Sequence, residues 1–202
     1  MSDTKNPVIY VVDDDAPVRE SLALLIRSMQ WPVHCYADAA EFLENFDPEL
    51  HSCLILDIRM PGMSGLELQE ELIARGLQVP IVFLTGHGDV PMAVKAIKLG
   101  AIDFLEKPFN DQALLDCINK ALSEDLNSRS RREQTREVEN KIASLTPRER
   151  EVMERVITGQ ANKVIAVDLG LSERTVEIHR SKVMSKMGAR SLADLVRLAL
   201  EL

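Results

Sequence analysis

Four short apolar runs, each ending in polar or charged side chains, constrain this chain more than any other feature. Val-Ile-Tyr-Val-Val (8–12) precedes three aspartates, Leu-Ile-Leu (54–56) precedes Asp57, Pro-Ile-Val-Phe-Leu (80–84) precedes Thr85, and Ile-Asp-Phe-Leu (102–105) precedes Glu106 and Lys107. Runs this short, rich in β-branched residues and bounded by turn formers, read as strands buried on both faces. Between them the apolar period changes. Val18, Leu22, Leu25 and Met29 recur at helical spacing behind Pro17, which is tolerated in a first turn, and 39–46, 65–74, 91–98 and 111 onward repeat the pattern. With Val33–Tyr36 as a further strand, five strands alternate with five helices, which predicts a doubly wound, flavodoxin-like α/β fold with a five-stranded parallel sheet.

Open α/β sheets do their chemistry at the carboxyl ends of the strands. A lone Asp57 before the Pro61-Gly62 turn reads more readily as a strand cap than as a reactive group. The other strand ends add Asp13 and Asp14, the Thr85 hydroxyl and the Lys107 ammonium to the same rim. Clustered carboxylates repel unless solvated or holding a cation, and hard oxygen ligands suit Mg2+ or Mn2+. Together these groups describe a phosphoryl site: Asp57 as nucleophile, the metal and Lys107 to neutralise phosphoryl oxygens, and Thr85 to hydrogen-bond one of them.

On these residues, positions 1–124 resemble the receiver domain of a two-component response regulator. The resemblance implies phosphorylation at Asp57 by a sensor histidine kinase. It implies a metal held by Asp14, Asp57 and the backbone carbonyl of Arg59, with Asp13 holding metal-bound water, a switch pair of Thr85 and Phe104, and a cis Lys107-Pro108 bond. Arg59 and His87 are expected to flank the phosphoryl group and control its hydrolysis.

Charge divides the chain. Residues 1–124 carry 20 acidic side chains against 9 Lys and Arg, whereas 125–202 carry 12 against 15. An acidic first part suits a cation and a basic second part a polyanion. Cys35, Cys53 and Cys117 lack metal-ligand spacing and read as reduced core residues of a cytoplasmic protein. No apolar run approaches a membrane span, so no membrane partner is expected.

Residues 127–137 contain no apolar residue, proline or glycine, but good helix formers and a Glu137–Lys141 pair. This predicts a solvated connecting helix within a linker at 125–143. Four short helices are expected from Leu145 onward: 147–158, 162–169, 172–187 and 191 to the end, with Gly159, Gly170 and Gly188 at helix stops. The pair 162–169 and 172–187 has helix-turn-helix spacing. On its second helix Val176, Val183 and Met187 share one face, while Arg174, Glu177, Ile178, Ser181, Lys182 and Ser185 share the other, a mixture that suits a DNA major groove.

Leu-Thr-Pro-Arg-Glu-Arg-Glu-Val (145–152), Asn-Lys-Val-Ile-Ala (162–166) and Glu-Arg-Thr-Val-Glu-Ile-His (173–179) resemble the LuxR-type DNA-binding domain, here 144–202. The whole chain then resembles a response regulator of the NarL and FixJ type. The resemblance implies a phosphorylation-activated transcription regulator and no enzyme beyond its own labelling and hydrolysis. Double-stranded DNA and RNA polymerase are the implied partners, with a homodimer forming on phosphorylation. Base readers are expected at Glu177, Ile178 and Ser181, and phosphate contacts at Asn162, Lys163, Arg174, Thr175, Lys182 and Lys186. Arg180, nearer the inner face, reads as a salt-bridge residue. In the last helix Leu192, Leu195, Val196 and Ala199 form a core stripe, and Leu198, Leu200 and Leu202 widen it. That assigns dimerisation to Leu195, Leu198 and Leu202. A phosphoryl relay or scaffold without DNA binding, and an aspartyl-phosphate phosphatase, are the competing readings.

Overall fold

The computed structural model describes residues 6–86 and 90–200, so expectations for His87 and Leu202 lie outside the described residues. The chain divides into two units, 1–128 and 129–202. In the first unit the elements run β1 (Val8–Val12), α1 (Ala16–Ser28), β2 (Val33–Tyr36), α2 (Ala39–Asn45), β3 (Ser52–Asp57), α3 (Gly65–Ala74), β4 (Ile81–Thr85), α4 (Val90–Lys98) and β5 (Asp103–Glu106). The strands form one parallel sheet in the order β2-β1-β3-β4-β5. β3, which ends in Asp57, is therefore central.

Alternation along the strands splits the core in two. Tyr10, Val12, Leu54, Leu56 and Phe83 face one way, against Phe42 of α2, Leu68 and Leu72 of α3, and Ala96 of α4. Ile9, Val11, Cys53, Ile55, Val82 and Leu84 face the other, against Leu22 and Ile26 of α1 and Leu114 and Ile118 of α5 (Asp111–Ala143). Burying each such aliphatic side chain contributes about 1.5–3 kcal/mol, so the two layers together hold the sheet between the helices. The expected stripe on α1 needs one correction. The helix ends at Ser28 and Gln30 turns at φ 61°, so Met29 lies past the last turn and is exposed, and Ile26 takes the core position instead.

α5 is one helix of 33 residues that crosses the division at Ser128. The first unit keeps more of it than the expected boundary at residue 124. Asp125 is buried there, accepting from the backbone N–H of Ser52 at 3.1 Å and pairing with His51 Nδ1 at 2.9 Å. The apolar-free stretch 127–137 follows, and Val138 is already buried in the second unit's core.

The second unit adds α6 (Pro147–Ile157), α7 (Asn162–Leu169), α8 (Glu173–Met187) and α9 (Leu192–Leu200). Thr146 caps α6 through a reciprocal pair with Glu149, and Ser172 caps α8. Gly170 and Gly188 end α7 and α8 in the left-handed region, at φ 63° and 68°. Val152, Val156, Ile165, Val176, Val183, Met187 and Leu195 fill the core.

Candidate functional site

Sheet register brings the first site together. Val12 pairs with Leu56, so Asp13 and Asp57, the next residues on adjacent strands, leave the sheet at one level. Thr85 pairs with Glu106, and the backbone N–H of Lys107 donates to the Thr85 carbonyl at 2.8 Å, which delivers the lysine to the same rim. Its ammonium donates to Asp57 Oδ1 at 2.6 Å and to Asp13 Oδ2 at 2.7 Å. The Lys107-Pro108 bond is cis.

The remaining carboxylate oxygens are also held. Asp57 Oδ2 accepts from the Arg59 backbone N–H at 2.7 Å, and Asp13 Oδ1 from that of Asp15 at 2.9 Å. Asp13 is fully buried and Asp57 is 7 % exposed. Burial pushes the Asp57 carboxyl above the usual carboxylate range, and the Asp13 charge adds to that, against the opposing pull of Lys107 and the Arg59 N–H. Burial alone would depress the Lys107 ammonium, but its bonds to Asp13 and Asp57 prevail and raise it.

Thr85 is buried, its hydroxyl donating to the Gly86 carbonyl at 3.0 Å, while Phe104 is 39 % exposed on β5. Asp14 lies exposed at the rim. Among the described residues no three His, Cys, Asp or Glu side chains converge on one point, whereas a Mg2+ site needs only one or two carboxylates, with other oxygens and water completing it.

Sequence reasoning missed two supports. The Arg19 guanidinium donates to the Asp13 backbone carbonyl at 2.6 Å, fixing the loop after β1. Gly65 abuts the Asp57 backbone. Neither leaves a period or motif in the sequence. The three cysteines are free thiols, and burial pushes each one's pKa up.

On α8 the inner face holds Val176, Val183 and Met187, all at most 1 % exposed. Arg174, Glu177, Ile178, Ser181, Lys182 and Ser185 are exposed together, with Ile178 at 49 %, and Lys163 is exposed on α7. Thr175 is half-buried, its hydroxyl 2.8 Å from that of Ser172.

Three expectations change here. Lys186 is turned to the protein: its ammonium donates to Glu149 at 2.6 Å and to the Ser144 carbonyl at 3.0 Å, because the buried Glu149 needs a cation more than an exposed helix end does. The lysine holds the Glu149 carboxyl down to about 2. Arg180 donates to the neutral Asn162 amide oxygen at 3.0 Å and so links α7 to α8 by a hydrogen bond in place of a salt bridge. Leu195 is fully buried within the unit's own core, so it is not available to a second copy. Leu198 packs partly on that core, Leu192 is 37 % exposed and Leu200 is 81 % exposed.

Among the described residues no helix is long and apolar enough to cross a membrane. The response regulator receiver domain profile matches residues 9–119, and that of bacterial regulatory proteins of the luxR family matches 143–199. The chain is similar to the transcriptional regulatory protein FixJ of Azorhizobium caulinodans, at 50 % identity over 95 % of this chain and 91 % of the relative. It is likewise similar to the response regulator protein TodT of Pseudomonas putida, at 46 % over 98 % and 86 %. Among solved structures, the response regulator StyR superposes with a TM-score of 0.87 at 49 % identity, over 98 % of this chain and 100 % of that one. With a receiver site in the first unit and a helix-turn-helix in the second, the chain belongs to the two-component response regulators of the FixJ type, which are phosphorylation-activated DNA-binding regulators of transcription.

Proposed function

We propose that Asp57 is the phosphoryl acceptor and that a sensor histidine kinase is the donor. The observation that carries this reading is the Lys107 ammonium bridging Asp57 and Asp13 at the carboxyl edge of the sheet. An Asp57 oxygen attacks phosphorus; the new O–P bond forms as the bond to the donor breaks, and the electron pair leaves with the donor's imidazole nitrogen or, from acetyl phosphate, with acetate. Lys107 stays beside the reacting group as a fixed positive charge, and Thr85, the residue after Leu84 that pairs with Asp57, is placed by register to turn its hydroxyl toward it. The chain acts once per label and does not turn over a metabolite.

The donor set is all oxygen and already attracts one cation, which fits Mg2+ or Mn2+ held by Asp14, Asp57 and the Arg59 carbonyl, with Asp13 holding metal-bound water. When bound, such an ion supplies positive charge toward the phosphoryl oxygens. Arg59 flanks the acceptor and limits the approach of water.

Thr85 and Phe104 form the switch that carries phosphorylation to the α4–β5 surface, where two receivers pair. The second unit then reads DNA with Glu177, Ile178 and Ser181, and meets phosphates with Asn162, Lys163, Arg174, Thr175 and Lys182. Leu198 and Leu200 extend the pairing, and RNA polymerase in the cytoplasm is the target of the assembled dimer.

Acetyl phosphate with Mg2+ is expected to label the protein once per chain, seen by intact mass, and Asp57→Asn to remain unlabelled. Labelling of that variant, or labelling that survives chelation, overturns the assignment.

A further inference from the structure

Gly65, the first residue of α3, is buried against the backbone of Asp57. A β-carbon built on it would stand 2.2 Å from the Asp57 carbonyl oxygen and 3.1 Å from the carbonyl carbon, far inside van der Waals contact and against backbone that cannot swing away. Gly65 does not occupy the left-handed region, unlike Gly62 and Gly76, at φ 77° and 67°. Backbone freedom therefore does not explain a glycine here. Space does.

The close approach is also locked from the helix side. The Gly65 N–H donates to the Ile58 carbonyl at 3.0 Å. Ser64 and Glu67 close a capping box, with the Glu67 carboxylate 2.8 Å from the Ser64 N–H. The start of α3 thus cannot retreat without breaking the Gly65–Ile58 hydrogen bond, and the capping box holds the first turn in the geometry that makes it. The carbonyl it presses belongs to the residue whose side chain must meet both Lys107 and the Arg59 N–H.

From this geometry we propose that Gly65 is a positioning residue for phosphoryl acceptance: the missing β-carbon lets α3 hold the Asp57 backbone at the depth that aims its carboxylate. The inference rests on Asp57 being the acceptor. A side chain at 65 moves that backbone, and the reacting oxygen with it. Misplacement of a reacting group by about 1 Å can cost about 100-fold in rate, and a smaller displacement correspondingly less.

The test compares full-length wild type with Gly65→Ala, Gly76→Ala, Ser64→Gly and Asp57→Asn. The readouts are far-UV circular dichroism, thermal midpoint, and the rate of acetyl phosphate labelling against donor concentration with Mg2+ present. Gly76→Ala is the control for strain alone, because its φ is positive and nothing lies within 4 Å of its β-carbon position. Destabilisation alone lowers the fraction labelled, not the rate at which folded molecules react. The proposal expects Gly65→Ala to lower the maximal rate about tenfold or more with the half-saturating donor concentration unchanged, and Gly76→Ala to match wild type. Ser64→Gly, which loosens the cap at little cost in helix stability, is expected to slow the maximal rate by a smaller factor. A wild-type maximal rate in Gly65→Ala overturns the proposal, as does equal slowing in Gly65→Ala and Gly76→Ala. If Gly65→Ala does not fold, a wild-type rate in Ser64→Gly overturns it. Labelling of Asp57→Asn would instead remove the acceptor assignment beneath it.

Discussion

Lys107 donates to Asp57 across 2.6 Å, yet the Asp57 carboxyl is harder to ionise than a free aspartate, because burial outweighs the lysine. A folded-state value raised above the ordinary 3.8 means that the group's favourable contribution is present below that pH and is lost as pH rises through the folded value. Ionised Asp57 therefore weakens the fold at neutral pH. Asp57→Asn is expected to raise the urea midpoint of the first unit at pH 7, and the gain is expected to vanish as pH falls below about 3.8. A lower midpoint at pH 7 would show that the lysine dominates.

Asp125 holds the opposite end of β3. Asp125→Ala leaves the buried Ser52 N–H without its side-chain acceptor and takes away the partner of His51 Nδ1. The expected cost is about 1–3 kcal/mol, measured by chemical denaturation followed at a probe in the first unit. A loss within error of zero would mean that water replaces the carboxylate fully.

The Glu149–Lys186 pair gives the second unit its own acid sensitivity. The Glu149 value is depressed from 4.5 to about 2, so its stabilisation is complete above about 4.5 and disappears as pH falls toward 2. Lys186→Met is expected to destabilise this unit at pH 7 and to differ less from wild type at each step down that window. Thermal melts at pH 7, 4 and 2.5, followed by an extrinsic fluorescent label on the exposed face of α8, test the trend; a constant difference refutes it.

How much of this was legible in the sequence follows from the range of each interaction. β3 and β4 could be read because a strand buried on both faces must be apolar throughout, and Asp57 and Lys107 stood out as charges at strand ends. The inner face of α8 could be read from its period. Lys186 could not: its partner lies 37 positions away, and an exposed-looking lysine late in a basic helix gives no sign of a buried glutamate behind it. Leu195 belonged to both a core stripe and a widened apolar arc, and only the depth of the packed core separated them. Gly65 and Arg19 act on backbone carbonyls, which are the same in every residue, so no side-chain pattern announces them.

On DNA, the exposed face of α8 is expected to separate two kinds of contact. Lys182→Ala in the phosphorylated full-length protein is expected to weaken binding to all sequences alike and to reduce the slope of log affinity against log salt by about 1. Glu177→Ala is expected to leave that slope unchanged and to alter which bases are preferred. Filter binding across a salt series and selection from random DNA provide the two readouts; a change of preference with Lys182→Ala would reverse the roles.

β3 is buried at every position from Ser52 to Asp57 and is paired on both sides. Its amide hydrogens can therefore exchange with solvent only when the first unit opens as a whole. With Asp57 as the proposed acceptor, a phosphoryl group there would be attached to a strand that does not breathe on its own, and the decay of the label is expected to be a clock set by water reaching the folded rim. Substitutions that fray β2 or the far end of β5 would speed deuterium uptake there and leave that clock running at the same rate.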